Sequence, residues 1–457
     1  MHGKSIILLL LVFLIFGPAS VHAQVAVSAQ LRTRGEYRDG QGTPSVRDTV
    51  PAAFVSQRTR VNLRYTGHRF TFYTTIQDVR VWGQDASSIN RINTDAYDGL
   101  MLHEAWGEIS LVDTGKVVKH FTLKIGRQEL VYDDVRLLGN LDWLQQGRRH
   151  DAALVKFEHH GWTAHLGAGY NQNAERKSNT IYNGTPSGYA ASTNGMATLY
   201  KSMQFLYVGR KLPFGNASFL FFKDDFSKFH FAPADTLAKT PLYERGTWSR
   251  YTVGGNLFGT VRKRVTLAAT AFFQGGKYRD GTSLQEYLFS LSALYAVNKK
   301  FSVGPGVDLT SGNNGDDPSK KYQRFDPLYG TPHKFWGYMD YFYVADGFGA
   351  NGLTDLYIKS KLVANPRLTC MADVHYFTLP DKVHGEDGRW MDRYLGTEID
   401  FTAQYALSNI IQLEGGYSAM LASTTLTSPK VKNVKHADRS ANWAYIMIAL
   451  RPAWTNL

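Results

Sequence analysis

Apolar and polar side chains alternate with a period of two in segment after segment of this chain, from Val25 to Arg451. In the stretch 301–310, Phe301, Val303, Pro305, Val307 and Leu309 alternate with Ser302, Gly304, Gly306, Asp308 and Thr310. The same division sets Leu395, Thr397, Ile399, Phe401 and Ala403 against Gly396, Glu398, Asp400, Thr402 and Gln404. It sets Ile411, Leu413, Gly415 and Tyr417 against Gln412, Glu414, Gly416 and Ser418. Successive strand side chains point to opposite faces, so one face of each strand meets something oily and the other something wet. The fold class this implies is all-β. A soluble sandwich and a membrane barrel satisfy the pattern equally well.

The connections separate the two. Strands are expected at 25–38, 55–66, 69–82, 100–112, 119–128, 150–159, 162–170, 198–211, 216–224, 247–260, 263–276, 283–297, 300–310, 352–363, 367–378, 391–405, 409–421 and 441–451. That is about eighteen, an even number, as in single-chain bacterial barrels. Short turns fall near Gly67-His68, Asp113–Gly115, His159–Gly161, Pro213–Gly215, Asn298–Lys300, Asn365-Pro366 and Ser408-Asn409. Between them come long polar loops at 39–54, 83–99, 129–149, 171–197, 225–246, 311–351 and 422–440, with shorter ones at 277–282 and 379–390. Tight turns at one end and long loops at the other are the habit of a transmembrane antiparallel β-barrel, with short periplasmic turns and long extracellular loops.

The first residues agree. Lys4, the apolar run Ile6–Phe16, Gly17-Pro18 and Val21-His22-Ala23 form an export signal, so 1–23 is expected to be removed and 24–457 to be one barrel domain. That run is too short to span a bilayer, which takes roughly 20 apolar residues. Tyr 26, Phe 26 and Gly 42 are high for a mean hydropathy of -0.29, a balance that alternate lipid-facing residues explain. Tyr65, Trp162, Tyr170, Tyr251, Phe273, Tyr295, Phe301, Tyr376, Tyr405, Tyr417 and Trp443 are expected on the apolar face towards strand ends, as an aromatic girdle. Cys370 is the single cysteine, so no internal disulfide forms. These features place the chain in the bacterial outer membrane, with lipid and lipopolysaccharide around it.

The formal charge of +12 suits an anionic partner. Export makes nucleic acid a poor choice and points to an anionic solute, a polysaccharide or lipopolysaccharide. The first two strands concentrate the charge. Arg32, Arg34, Glu36 and Arg38 share one face, as do Arg58, Arg60, Asn62 and Arg64. An arginine facing lipid at mid-membrane costs roughly 2–4 kcal/mol, so these rows are expected to face the lumen. Like charges across a strand ladder are unfavourable unless countered. Glu36, Glu104, Glu108, Glu398, Asp400 and Glu414 are the available counter-charges. Two readings stand: a basic wall that attracts a polyanion, as charged rings do in pores, or an arginine–carboxylate network that fills the lumen.

Catalytic patterns are missing: there is no G-x-S-x-G, no H-E-x-x-H and no Cys/His metal spacing. His159-His160 sits in an expected turn without a third ligand, and His103-Glu104 and His165 stand singly. Gly312–Asp317 is Asn/Asp-rich but lacks EF-hand spacing, and 311–351 reads as an outer loop able to fold inward or cap the mouth. No enzyme, cofactor or metal is expected. A barrel-embedded hydrolase, with its Ser/His pair assembled in space, is the alternative of another class. A general diffusion porin and a plugged structural barrel are others.

Two patches carry a resemblance. Leu123–Trp143 (LKIGRQELVYDDVRLLGNLDW), followed by Gly147–Ala152, resembles the alginate-export family of outer-membrane barrels, with its Gly-Arg-Gln strand end, Asp/Arg-rich loop and Trp. Phe325–Tyr341 (FDPLYGTPHKFWGYMDY) looks like the motif of a branch of that family found in Bacteroidetes-type bacteria. The resemblance implies an eighteen-stranded monomeric barrel with an Arg/Lys-lined constriction that passes an anionic polysaccharide such as alginate outward, with periplasmic export partners. Members of this branch need not handle alginate. The residues matching the motif are Lys124, Gly126, Arg127, Gln128, Arg136, Asp142, Trp143, Arg148, Arg149 and Asp151. The expected solute pathway is thus Arg32, Arg34, Arg58, Arg60, Arg64, Lys124, Arg127, Arg136, Arg148 and Arg149, with Glu36, Glu104, Glu108, Asp151, Glu398 and Asp400 as counter-charges in the lumen. Arg127 falls on the face opposite Lys124 and Gln128, and is expected to turn into the loop at its strand end.

Overall fold

The computed structural model of the protein describes residues 24–83, 100–112, 120–171, 200–231, 241–313, 324–344 and 351–455. The expected export signal at 1–23, most of loops 83–99 and 171–197, the expected turn at Asp113–Gly115 and Asn314–Asp317 of the Asn/Asp-rich run lie outside them. The strands are β1 (Gln24–Asp39), β2 (Ala52–Thr66), β3 (Phe70–Val81), β4 (Met101–Ser110), β5 (His120–Gln128), β6 (His150–His159), β7 (Trp162–Tyr170), β8 (Ser202–Leu212) and β9 (Gly215–Phe231). They continue as β10 (Pro241–Val261), β11 (Val265–Lys277), β12 (Ser283–Ala296), β13 (Phe301–Thr310), β14 (Leu353–Asn365), β15 (Leu368–Thr378), β16 (Tyr394–Ala406), β17 (Ile411–Ala422) and β18 (Ser440–Leu450). Each pairs antiparallel with its sequence neighbours, and β18 pairs with β1 over Leu31–Asp39 to close the barrel. A short β19 (Ala453–Thr455) resumes beyond Arg451-Pro452 against Ala26–Ser28. Pro452 has no N–H for the ladder, and its carbonyl accepts from Ala29 N at 3.0 Å.

Eighteen strands therefore form the wall among the described residues, with ends within a few residues of those expected from alternation. The largest departure is the expected loop 225–246. The ladder instead runs on to pair Phe231 with Pro241, with a register shift between Tyr243 and Thr247. Turn geometry accounts for the tight end. His160 (φ 46°) and Gly161 (φ 77°) form a two-residue connection with both residues left-handed, the twist that matches a hairpin. The His159-His160 pair is thus part of a turn.

Burial along the strands is inside out. In β12, Tyr287, Phe289 and Leu291 are exposed on the outer face while Glu286, Leu288 and Ser290 are buried. A wall with apolar side chains outward and polar ones inward is stable only in lipid. Trp162, Tyr295 and Trp454 are exposed outward near the turn end; Tyr37, Tyr170 and Tyr376 are exposed outward near the loop end. Arg210 lies over the Trp162 ring at 4.8 Å on the same face. Two aromatic belts follow.

Trp443 is an exception to the expected girdle. It faces the lumen, 1% exposed, and its indole N–H donates to Glu36 Oε2 at 3.2 Å. Leu395 is also buried, because a register shift at Phe377/Thr378 turns the start of β16 inward. The lumen itself departs from a purely polar pore. Its loop-side half is filled by an apolar core in which Phe205, Phe222, Leu288, Phe377 and Met420 of the wall pack on residues of two inserted loops.

Candidate functional site

Two connections leave the wall and enter the barrel: 129–149, between β5 and β6, and the described part 324–344 of the β13–β14 connection. Their sequences explain the choice. Leu130, Leu137, Leu138 and Leu141 in the first, and Phe325, Leu328, Trp336, Met339 and Phe342 in the second, are too apolar for an outer loop, and all are buried. The two loops also satisfy each other's backbone. Gly139 N donates to Tyr329 O at 3.0 Å, Tyr329 N to Leu137 O at 2.9 Å and Thr331 N to Val135 O at 2.8 Å. Gly330 must be glycine for this approach, since a Cβ there would lie 1.9 Å from Arg136 O. Arg148 Nη1 donates to Gly330 O and seals the joint. The product is a two-loop partition across the lumen.

Charged clamps tie the partition to the wall. Arg32 and Arg58 stand directly opposite each other in the β1–β2 ladder, an unfavourable pair. Asp142 of the first loop resolves it, lying 2.8 Å from Arg58, 3.2 Å from Arg32 and 3.6 Å from Arg60. Arg32 also donates to Asp142 O, Leu144 O and the Gln145 side chain. Arg34 donates to Trp143 O at 2.9 Å, sits 4.1 Å over the Trp143 ring, and pairs with Glu36 at 2.8 Å. On the far side Arg136 reaches Asp308 at 2.6 Å and Ser290 at 3.1 Å, and Arg250 joins Asp326 of the second loop to Asp224. Glu398 and Asp400 receive Met339 N at 2.7 Å and Tyr338 N at 3.3 Å. Burial opposes ionisation of Asp142, but Arg58, Arg32 and Arg60 outweigh it and hold the carboxyl below the ordinary aspartate range.

The expected site residues therefore divide. Arg32, Arg34, Arg58 and Arg60 face inward and hold the partition instead of lining open space. Arg136 and Arg148 are buried within it and Arg149 is half-buried at its edge. Arg127 and Asp151 face outward and pair bidentately at 2.8 and 2.9 Å near the loop-side rim, so neither belongs to the lumen. Both stand on odd positions of strands whose even positions Gln128, His150 and Ala152 are buried. Glu104 accepts from Trp106 Nε1 at 3.2 Å and Glu129 N at 3.1 Å, and Glu108 pairs with Lys156 at 3.1 Å, so neither serves the arginine rows.

Arg64 and Lys124 remain apart, in the turn-side half of the lumen. Lys124 Nζ lies 3.9 Å over the Trp106 ring, and Arg64 lies 5.2 Å over Tyr73 and 5.8 Å from Trp106. Lys124 stands opposite Glu108 in the β4–β5 ladder, but no described carboxylate lies within ion-pair distance of either cation. Together they make a basic, aromatic-backed patch able to meet an anion with a carbon skeleton.

Sequence reasoning passed over Asp142 as the central counter-charge and assigned no role to Asp224, Arg250, Asp308 and Asp326. Arg250 shares an inward row with Thr252 and Asn256, a signal that was legible in the alternation. His103 enters the site through a register shift at Thr75/Ile76 that leaves it outside the ladder, 3.0 Å from Arg60 and 2.9 Å from Glu129. The arrangement closest to a catalytic one is Asp355–His375 at 2.9 Å, but it is buried and the other ring nitrogen faces Asp400 at 3.8 Å, not a hydroxyl. No group of His, Cys, Asp and Glu among the described residues has metal-site geometry.

A family model described as "Alginate export" matches residues 23–428. No curated protein matches the chain. Solved structures similar to it include Acinetobacter baumannii OccAB4, 12% identical with a TM-score of 0.58, covering 96% of this chain and 100% of that one. Pseudomonas aeruginosa OccK3 (OpdO) is 12% identical with a TM-score of 0.59, covering 94% and 96%. Pseudomonas aeruginosa OpdK, solved with vanillate, is 10% identical with a TM-score of 0.55, covering 94% and 99%. At such identities the likeness is one of fold.

Proposed function

The chain belongs to the alginate export family, and from that premise we propose that it passes an anionic oligo- or polysaccharide through its lumen. This is a bacterial outer-membrane barrel whose family and fold are those of a channel and not of an enzyme. The observation that supports the finer reading is the patch of Arg64 and Lys124 over Trp106 and Tyr73. Cations outside any described ion pair attract uronate carboxylates, and aromatic rings accept the apolar face of a sugar. The upper arginines do not serve this purpose, since loop carbonyls and Asp142 occupy them. We further propose that residues 1–23 direct export and are removed.

Flux into liposomes tests the reading. An oligouronate of a given length should enter proteoliposomes faster than a neutral oligosaccharide of equal length. Equal flux of both, or none of either, would contradict it.

A further inference from the structure

Between the Asp142 clamp and the turn end of β16, β17 and β18 lies a recess of about 280 Å³. It shares no residue with the Arg64–Lys124 patch. One wall is a continuous piece of sheet: Gln404 stands opposite Glu414, Glu414 opposite Met447, and Gln412 opposite Ala449. Asp142 and Trp143 of the inserted loop and Arg451 beyond β18 complete it. The volume is just under the roughly 300 Å³ at which sites for drug-sized ligands begin, so it suits a single ring and not a chain of them.

The hydrogen-bonding groups are arranged but not saturated. Gln404 Nε2 donates to Glu414 Oε2 at 2.9 Å, the Tyr445 hydroxyl donates to Glu414 Oε1 at 2.8 Å, and Arg451 Nη1 donates to Gln412 Oε1 at 2.8 Å. The Gln404 carbonyl, the Gln412 amide nitrogen and the Trp143 indole N–H have no hydrogen-bond partner among the described residues. A vicinal diol can donate to the first and accept from the others. Met447 and Ala449 supply an apolar floor for ring C–H groups.

Charge selects among rings. Arg32 borders the recess, but its donors go to Asp142, Trp143, Leu144 and Gln145. The four charges of the lining therefore cancel, Arg32 and Arg451 against Asp142 and Glu414, and Arg32 has no donor left for a solute. An acidic ring gains no net attraction from such a lining, whereas a neutral one needs none. We infer that this recess seats one uncharged sugar ring, and, resting on the proposed passage of an anionic polymer, that the polymer carries neutral units beside its acidic ones.

Current blockade in planar bilayers tests this, with mannohexaose as the neutral probe. Mannohexaose added to the turn side should produce resolvable blockades, and Gln404→Ala and Gln412→Ala should each shorten their residence by up to roughly tenfold, the effect of losing one hydrogen bond. Ala449→Trp, which fills the recess, should abolish them while the channel still conducts. Heat-modifiable migration in gels establishes that each variant is folded. Absence of blockades in the wild type, or equal residence in all four proteins, overturns the inference. Because the probe is neutral, the result is independent of anion selectivity, so this seat and the anionic pathway can fail separately.

Discussion

Three wall arginines converge on Asp142. Replacing it with Asn leaves Arg32 and Arg58 opposed and buried with no anion between them, and the first inserted loop should lose its hold on β1 and β2. Asp142→Asn is expected to raise single-channel conductance and noise in planar bilayers; traces like those of the wild type would show that the clamp is dispensable. The pH dependence has a definite sign. A carboxyl held below its ordinary value contributes stability that is complete above the unfolded value and is lost as pH falls through the folded one. Conductance should thus hold steady from pH 7 to about pH 5 and rise only below about pH 4. Arg127 provides the contrast. Its exposed outward pair with Asp151 is worth at most about 1 kcal/mol, and Arg127→Ala should leave ion selectivity unchanged.

The inserted loops behave as one element because each completes the other. Gly330→Ala forces a Cβ against Arg136 O, an overpacking worth about 1–3 kcal/mol, and should separate the loops without breaking the barrel. The buried Arg136–Asp308 pair is the second test. Either single removal leaves an uncompensated charge and should cost about 3–5 kcal/mol in urea unfolding. The Arg136→Met/Asp308→Asn double variant should cost less than the sum, and additive losses would deny the coupling. The strands were legible because lipid and lumen impose a period of two on them, as in 301–310. The inserted loops were not legible as a partition, because their partners are tertiary. Arg32 and Asp142 are 110 residues apart, and nothing local joins Leu138 to Tyr329. Trp443 was misplaced for a related reason: a lumen tryptophan bonded to Glu36 and a girdle tryptophan look alike until the strand's face is known. The resemblance patches did mark the right segments, since both fall on the inserted loops.

The whole barrel separates two uses of positive charge that its sequence runs together. Arg32, Arg34, Arg58 and Arg60 fasten a partition across the loop-side lumen, while Arg64 and Lys124 face the turn-side lumen outside any described ion pair. The upper four arginines join the network, and the proposed basic wall is confined to Arg64 and Lys124. The apolar core packs the loops into the upper lumen, and the proposed anion selection falls to the lower one. The most direct measurement is the reversal potential of the protein in planar bilayers under a KCl gradient, for the wild type and for Arg64→Ala/Lys124→Ala. Anion selectivity in the wild type that is lost in the double variant is the predicted result; a cation-selective wild type, or selectivity unchanged by the two substitutions, would contradict it.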